Sequence, residues 1–152
     1  MSDYLRGKAV RKILKGVQVN RDSATLPQGT DGALFNVVGG RVTITQILGE
    51  VTTAIQNQAN DTNLVAIPTG GAASDLCDTL DIADDGVGTM YSITGTVGTA
   101  MQDDAGVVPD QTVPLIVKPG TISLDCDASN TGEVKWSVIY IPVDDGAYVE
   151  VA

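Results

Sequence analysis

The tightest constraint on this chain is the alternation of apolar and polar residues in TISLDCDASNTGEVKWSVIYIPV, from Thr121 to Val143. Ile122, Leu124 and Cys126 alternate with Ser123, Asp125 and Asp127, the period of a half-buried strand. Residues 128–132, ASNTG, carry turn chemistry, because Asn and Gly tolerate the positive φ that a reversal needs. The return strand sets Val134, Trp136, Val138 and Tyr140 on one face, with Lys135 and Ser137 on the other. The spacing therefore predicts a hairpin that holds the only Trp at the centre of the core. Ile139 and Ile141 make the far end of the second face apolar as well, so a second sheet or another subunit should cover them. Pro142 cannot donate to a ladder and belongs at a strand end or sheet edge.

The remaining sequence repeats this style in shorter pieces. Strands are expected over 34–38, 41–48, 50–55, 64–68, 75–82, 88–97, 113–117 and 147–151. Gly39-Gly40 reads as a tight hairpin turn, and Gly49 as a bulge between two halves of one strand, with a short helix over 50–59 as the alternative there. Eight or nine short strands with turns every 8–12 residues predict an all-β, antiparallel sandwich or jelly-roll-like body. At 152 residues the chain is long enough for one domain with a substantial core.

Charge divides the chain. Residues 1–21 hold six of the nine basic residues and one acid, Asp3, a net +5. The other three bases and eighteen acids give residues 22–152 a net −15, for a total of −10. Such asymmetry assigns the basic end a partner. Leu5, Ala9, Val10, Ile13, Leu14 and Val17 have roughly helical spacing with a basic opposite face, although Gly7 and Gly16 weaken a helix. With Pro27, Gly29 and Gly32 reading as a linker, the expected organisation is an extended or partly helical arm and linker over 1–33 and a β-sandwich body over 34–152. Three readings of the arm compete: a solvated terminus, a nucleic-acid arm and a docking arm. The nucleic-acid reading lacks an aromatic platform, and the acidic body would repel phosphates. The docking reading is preferred, with Arg6, Lys8, Arg11, Lys12, Lys15 and Arg21 facing an acidic protein surface. Leu5, Ile13, Leu14 and Val17 would supply the apolar contact.

Chemistry is sparse. Histidine is absent, which removes the usual general base and metal ligand. Cys77 and Cys126 are either a disulfide across the sandwich or two buried free thiols of a protein made in a reducing cytosol. Asp125, Asp127, Ser129 and Glu133 partly resemble an oxygen-ligand calcium loop, but the Gly sits at the wrong offset and a strand follows. The pairs at 84–85, 103–104 and 144–145 place adjacent carboxylates on turns, where they point apart rather than across a scissile bond. No nucleophile elbow, phosphate loop or dinucleotide fingerprint occurs. The expectation is a protein that is not an enzyme and needs no cofactor or metal. No apolar run is long enough to span a membrane, and no secretory leader is expected from the basic N-terminus.

GGRVTITQILGEVTTAIQ, LCDTLDI followed by GTMYSITGT, and KPGTISLDCDASNTGEVKWSVIYIPVDDGA resemble small structural proteins of tailed bacteriophages. The resemblance is greatest to the capsid decoration, or cement, proteins, and it covers roughly residues 34–147 as a pattern rather than a diagnostic motif. It implies a non-enzymatic virion protein made in the host bacterial cytoplasm. Such a protein sits on the outer capsid surface, binds the major capsid protein and stabilises the head. It also implies a homo-oligomer, commonly a trimer, for which Ile139 and Ile141 are the candidate packing residues. A tail, baseplate or fibre-associated protein is the alternative within virions; a carbohydrate- or calcium-binding sandwich module is the alternative outside them.

Overall fold

In the computed structural model, which describes residues 6–152, the alternating segments form two antiparallel sheets packed face to face, an all-β sandwich. A short helix, α1 (Gly7–Leu14), leads into β1 (Val17–Thr25), β2 (Asp31–Val38), β3 (Val42–Thr53) and β4 (Asp61–Pro68). The middle of the chain is fragmented into β5 (Ser74–Asp75), β6 (Leu80–Asp81), β7 (Met90–Ser92), β8 (Gln102–Asp104) and β9 (Leu115–Val117). The long strands β10 (Gly120–Cys126) and β11 (Glu133–Pro142) follow, and β12 (Tyr148–Val151) ends the fold. One sheet has the order β1-β11-β3-β7-β8, with β9 also on β3; the other has β12-β2-β10-β4-β5, with β6 also on β4.

The expected hairpin over 121–143 is not formed. β10 pairs with β2 and β4 in one sheet, whereas β11 pairs with β1 and β3 in the other. Residues 127–132 therefore arch between sheets, a gap of about 10 Å. Polar side chains hold that arch in place. Buried Asn130 donates to the carbonyl oxygens of Gln56 (3.3 Å) and Gln58 (2.7 Å), and the Asp127 carboxylate accepts from Asp61 N–H at 2.9 Å. Alternation reveals which residues face the core, but it is the same whether two strands pair or lie opposite each other. Gly39-Gly40 is a second arch for the same reason, since β2 and β3 lie in different sheets. Arg41 anchors it, with a fork of Nε and Nη2 on the Asp144 carboxylate at 2.9 and 2.8 Å. That fork and the Arg41 N–H hold the Asp144 pKa down at about 2.

Other expectations shift locally. Gly49 is no bulge: the β3–β11 register runs unbroken from Val134↔Val51 through Trp136↔Gly49. Its role is steric, because a Cβ there would lie 2.8 Å from Cζ3 of Trp136. The register shifts fall at Thr45, between Gln46↔Ile139 and Ile44↔Tyr140, and at Thr52, between Thr53↔Glu133 and Val51↔Val134, and β3 continues to Thr53 in place of a helix over 50–59. The boundary expected at residue 33 has no counterpart. β1 joins the sheet through Val17↔Tyr140 to Arg21↔Trp136, and β2 begins at Asp31. The ladder to β11 satisfies the backbone of residues that composition alone assigns to a free arm. Pro142 does close its strand, and β12 is an edge.

The core centres on Trp136, whose ring lies 6.0 Å from that of Tyr91 at an interplanar angle of 21°. Phe35, Ile44, Ile47, Leu64 and Ile122 are buried around this pair. Tyr91 Oη donates to Asp85 Oδ2 at 2.5 Å, while burial raises the Asp85 pKa. Cys77 and Cys126 are both free thiols, so the possible disulfide is not made. Each is satisfied by a different residue of β4: Leu64 N–H points to Cys77 Sγ at 3.4 Å, and Thr62 Oγ1 to Cys126 Sγ at 3.6 Å. Burial pushes both thiols up to about 11.

Gly49→Ala should overpack the Trp136 ring and cost about 1–3 kcal/mol of folding stability. Urea unfolding followed by Trp136 emission measures it; a midpoint unchanged from wild type would contradict the close approach.

Candidate docking surface

α1 is short, and sequence explains both of its ends. Arg6 is its N-cap in extended backbone without a side-chain cap, and no acid occupies the first turn. The last turn carries Arg11 and Lys12, which suit the negative end of the helix dipole. Gly16, at φ 113°, terminates it, and the Lys15 and Gly16 N–H groups both donate to the Arg11 carbonyl at 2.7 and 3.2 Å. A Cβ on Gly16 would fall 2.0 Å from the Tyr140 carbonyl oxygen, so only glycine lets the chain enter β1 here.

At 100° per residue, Lys8, Arg11, Lys12 and Lys15 share one side, and Ala9, Val10, Ile13 and Leu14 the other. The apolar side is only partly covered among the described residues: no residue of α1 is buried, Ala9 and Val10 are half-buried, and Ile13 and Leu14 are 69% and 73% exposed. The root of the helix, in contrast, is fixed. Thr45 Oγ1 at the β3 bulge donates to the Lys15 carbonyl at 2.6 Å, and Lys15 Nζ pairs with Asp110. The loop bearing Asp110 is tied down in turn, with buried Gln111 donating from Nε2 to the Ile44 and Val113 carbonyls, each at 2.9 Å.

Below that root the outer face of the sheet carries two exposed isoleucines. Ile116, Thr43 and Ile141 stand in one row across β9, β3 and β11, so their side chains share a face. Ile116 is 66% exposed and Ile141 44%. Ile139 differs from expectation. Flanked in register by Gln18 and Gln46, it is 9% exposed in the single chain and offers no surface to a second subunit.

The expected arm residues thus separate into two groups. Leu5 lies outside the described residues. Arg6, Lys8, Arg11, Lys12, Ile13 and Leu14 are brought together on α1, with Lys15 at its root. Val17 and Arg21 belong to β1, where Arg21 is half-buried and lines a cavity. Ile116 was legible, since Leu115-Ile116-Val117 is apolar on both faces of a strand; the Lys15–Asp110 pair, 95 positions apart, carried no sequence signal.

Each of the three acidic pairs has one carboxylate committed to a structural hydrogen bond: Asp85, Asp104 and Asp144. Asp104 Oδ1 accepts from Gly106 and Val107 N–H at 2.7 and 3.1 Å, which lowers the Asp104 pKa. Among the described residues no three His, Cys, Asp or Glu side chains are placed to hold a metal ion. Comparison with family models, curated proteins and solved structures gives no match for this chain.

Gly16→Val should dislodge the helix root. Trypsin cleavage after Lys15 should then accelerate several-fold while the sandwich fragment persists on a gel. An unchanged cleavage rate would show that the close approach to Tyr140 does not hold the root.

Proposed function

We propose that this protein is a non-enzymatic virion structural protein, a capsid decoration or cement protein that binds the major capsid protein and stabilises the head. The observation that carries the reading is α1: an exposed helix, basic on one side and apolar on the other, projecting from a strongly acidic body. An eight-residue helix is marginal in water unless its apolar side is covered. A partner with an acidic rim and an apolar groove would stabilise it through both faces. The body that carries α1 is built around a buried hydrophobic core.

In this reading α1 grips the shell and the body forms a homo-oligomer, with the Ile116–Thr43–Ile141 row available for subunit packing. A trimer on the outer capsid surface, as the resemblance implies, would present three helices at once. Several weak contacts would then combine into firm attachment. The grip spans less chain than the sequence suggests, because residues from Val17 onward are committed to the sheet. Eight helical residues reach only about 12 Å.

The test is co-sedimentation with capsid shells of the full chain and of a chain lacking residues 2–15, a deletion that leaves β1 whole. The truncated chain should fold as judged by Trp136 emission, yet bind shells at least ten-fold more weakly. Equal binding by the two chains would refute the role of α1, and failure of the full chain to bind any shell would refute the capsid assignment.

A further inference from the structure

The chain contains three Asp–Gly steps, at 31–32, 85–86 and 145–146, and the fold treats them differently. At such a step the glycine nitrogen can attack Cγ of the aspartate, because glycine puts no Cβ in the way. An intramolecular closure of this kind depends on the two groups being free to meet. Asp31 and Gly32 lie in the β2–β10 ladder opposite Asp125 and Leu124. Gly32 is also packed so closely that a Cβ there would fall 2.8 Å from Cγ of Pro27. Asp85 is half-buried and pinned at two points: its carboxylate accepts from Tyr91 Oη at 2.5 Å, and its carbonyl from Ile55 N–H at 2.9 Å.

The third step is unrestrained. Asp145 and Gly146 are the central residues of the turn between β11 and β12, closed by Ala147 N–H on the Asp144 carbonyl at 3.1 Å. Gly146 has φ 80°, the value a type II turn demands at its third position. Both residues are exposed, and no atom lies within 4 Å of a Cβ built on Gly146. Among the described residues neither the Asp145 carboxylate nor the Gly146 N–H has a hydrogen-bond partner. The carboxylate that the fold uses here is the neighbouring Asp144, held by Arg41.

We propose that Asp145 is a site of spontaneous aspartate isomerisation, and that the fold confines this reaction to the Asp–Gly step of the β11–β12 turn. The Gly146 nitrogen forms a bond to Cγ of the protonated Asp145 carboxyl. The Cγ–OH bond breaks, and the hydroxyl leaves with the amide proton as water. The succinimide ring so formed takes water back at either carbonyl. Opening at the backbone carbonyl leaves the chain running through Cβ and Cγ as isoaspartate, with the mass unchanged and one more atom in the main chain. That longer turn lies between the Arg41–Asp144 anchor and the edge strand β12, so its target is the attachment of β12 to β2. The inference is independent of α1 and of the capsid reading.

Trypsin separates the three steps. Cleavage after Arg21, Arg41 and Lys135 gives peptides 22–41, 42–135 and 136–152, since Pro119 protects the bond after Lys118. The full chain is aged at mildly acidic pH, both folded and in guanidinium chloride, then digested and labelled with isoaspartyl methyltransferase. In the folded chain, label should build up in 136–152 roughly ten-fold faster than in the other two peptides, where the ladder or the Tyr91 contact must open first. In guanidinium chloride the three peptides should label at similar rates. Asp145→Glu, an exposed change that makes ring closure slow, should clear the label from 136–152. An unlabelled 136–152, or equal labelling of all three peptides in the folded chain, would overturn the proposal. Label that survives Asp145→Glu would overturn it by pointing to Asp144. The same preference in guanidinium chloride would also overturn it, because the cause would then be the local sequence and not the turn.

Discussion

The contact between Trp136 and Gly49 fixes how the two longest strands meet. The largest side chain of β11 lies across the one position of β3 that has no side chain of its own, and the register on either side follows from it. With β11 held there, β1 is added on its free edge and Tyr91 of β7 stacks from beyond β3. The opposing sheet closes over the ring with Phe35, Leu64, Ile122 and Leu124. Apolar burial of this kind is the main favourable contribution to the fold, and close packing makes it specific to one register.

Polar residues decide the connectivity. The chain changes sheet at 39–41 and at 127–132, and at both places a buried or charged side chain is committed to holding the crossing: Arg41 on Asp144, Asn130 on the 56–58 carbonyls. Loops that cross a sandwich cannot satisfy their backbone through a ladder, so side chains must do it. Asp127, Asp144 and Asn130 serve these crossings, and several other carboxylates that could suggest catalysis or calcium are taken up by backbone N–H groups.

The division between core and surface was legible in the sequence because period-two alternation reports directly on it: Ile122, Leu124, Val134, Trp136 and Val138 are all buried as the pattern requires. Partner choice between strands was not legible, since the same alternation fits a hairpin and an arch. Composition misled at residues 17–33. Few large apolar residues occur there, yet an edge strand needs only one half-buried face, and Val19, Ala24 and Leu26 supply it. The basic helix was legible in residue spacing and charge. Its anchoring was not, because Thr45 and Asp110 are brought to Lys15 only by the fold. The two thiols could be read as bridged or free from sequence, and the distribution of their partners along β4 settles them as free.

Ile13 and Leu14 at the end of α1, with Ile116 and Ile141 beneath its root, are among the exposed large apolar side chains of the sandwich, and their grouping beside a basic helix face underlies the functional reading. Amide hydrogen exchange of the isolated chain tests it most directly, because protection follows burial and tertiary packing. Amides of residues 8–14 should exchange orders of magnitude faster than those of 43–51 and 134–140. Protection of the helix equal to that of the β3–β11 ladder would mean that α1 is already part of the folded body and has no need of a partner.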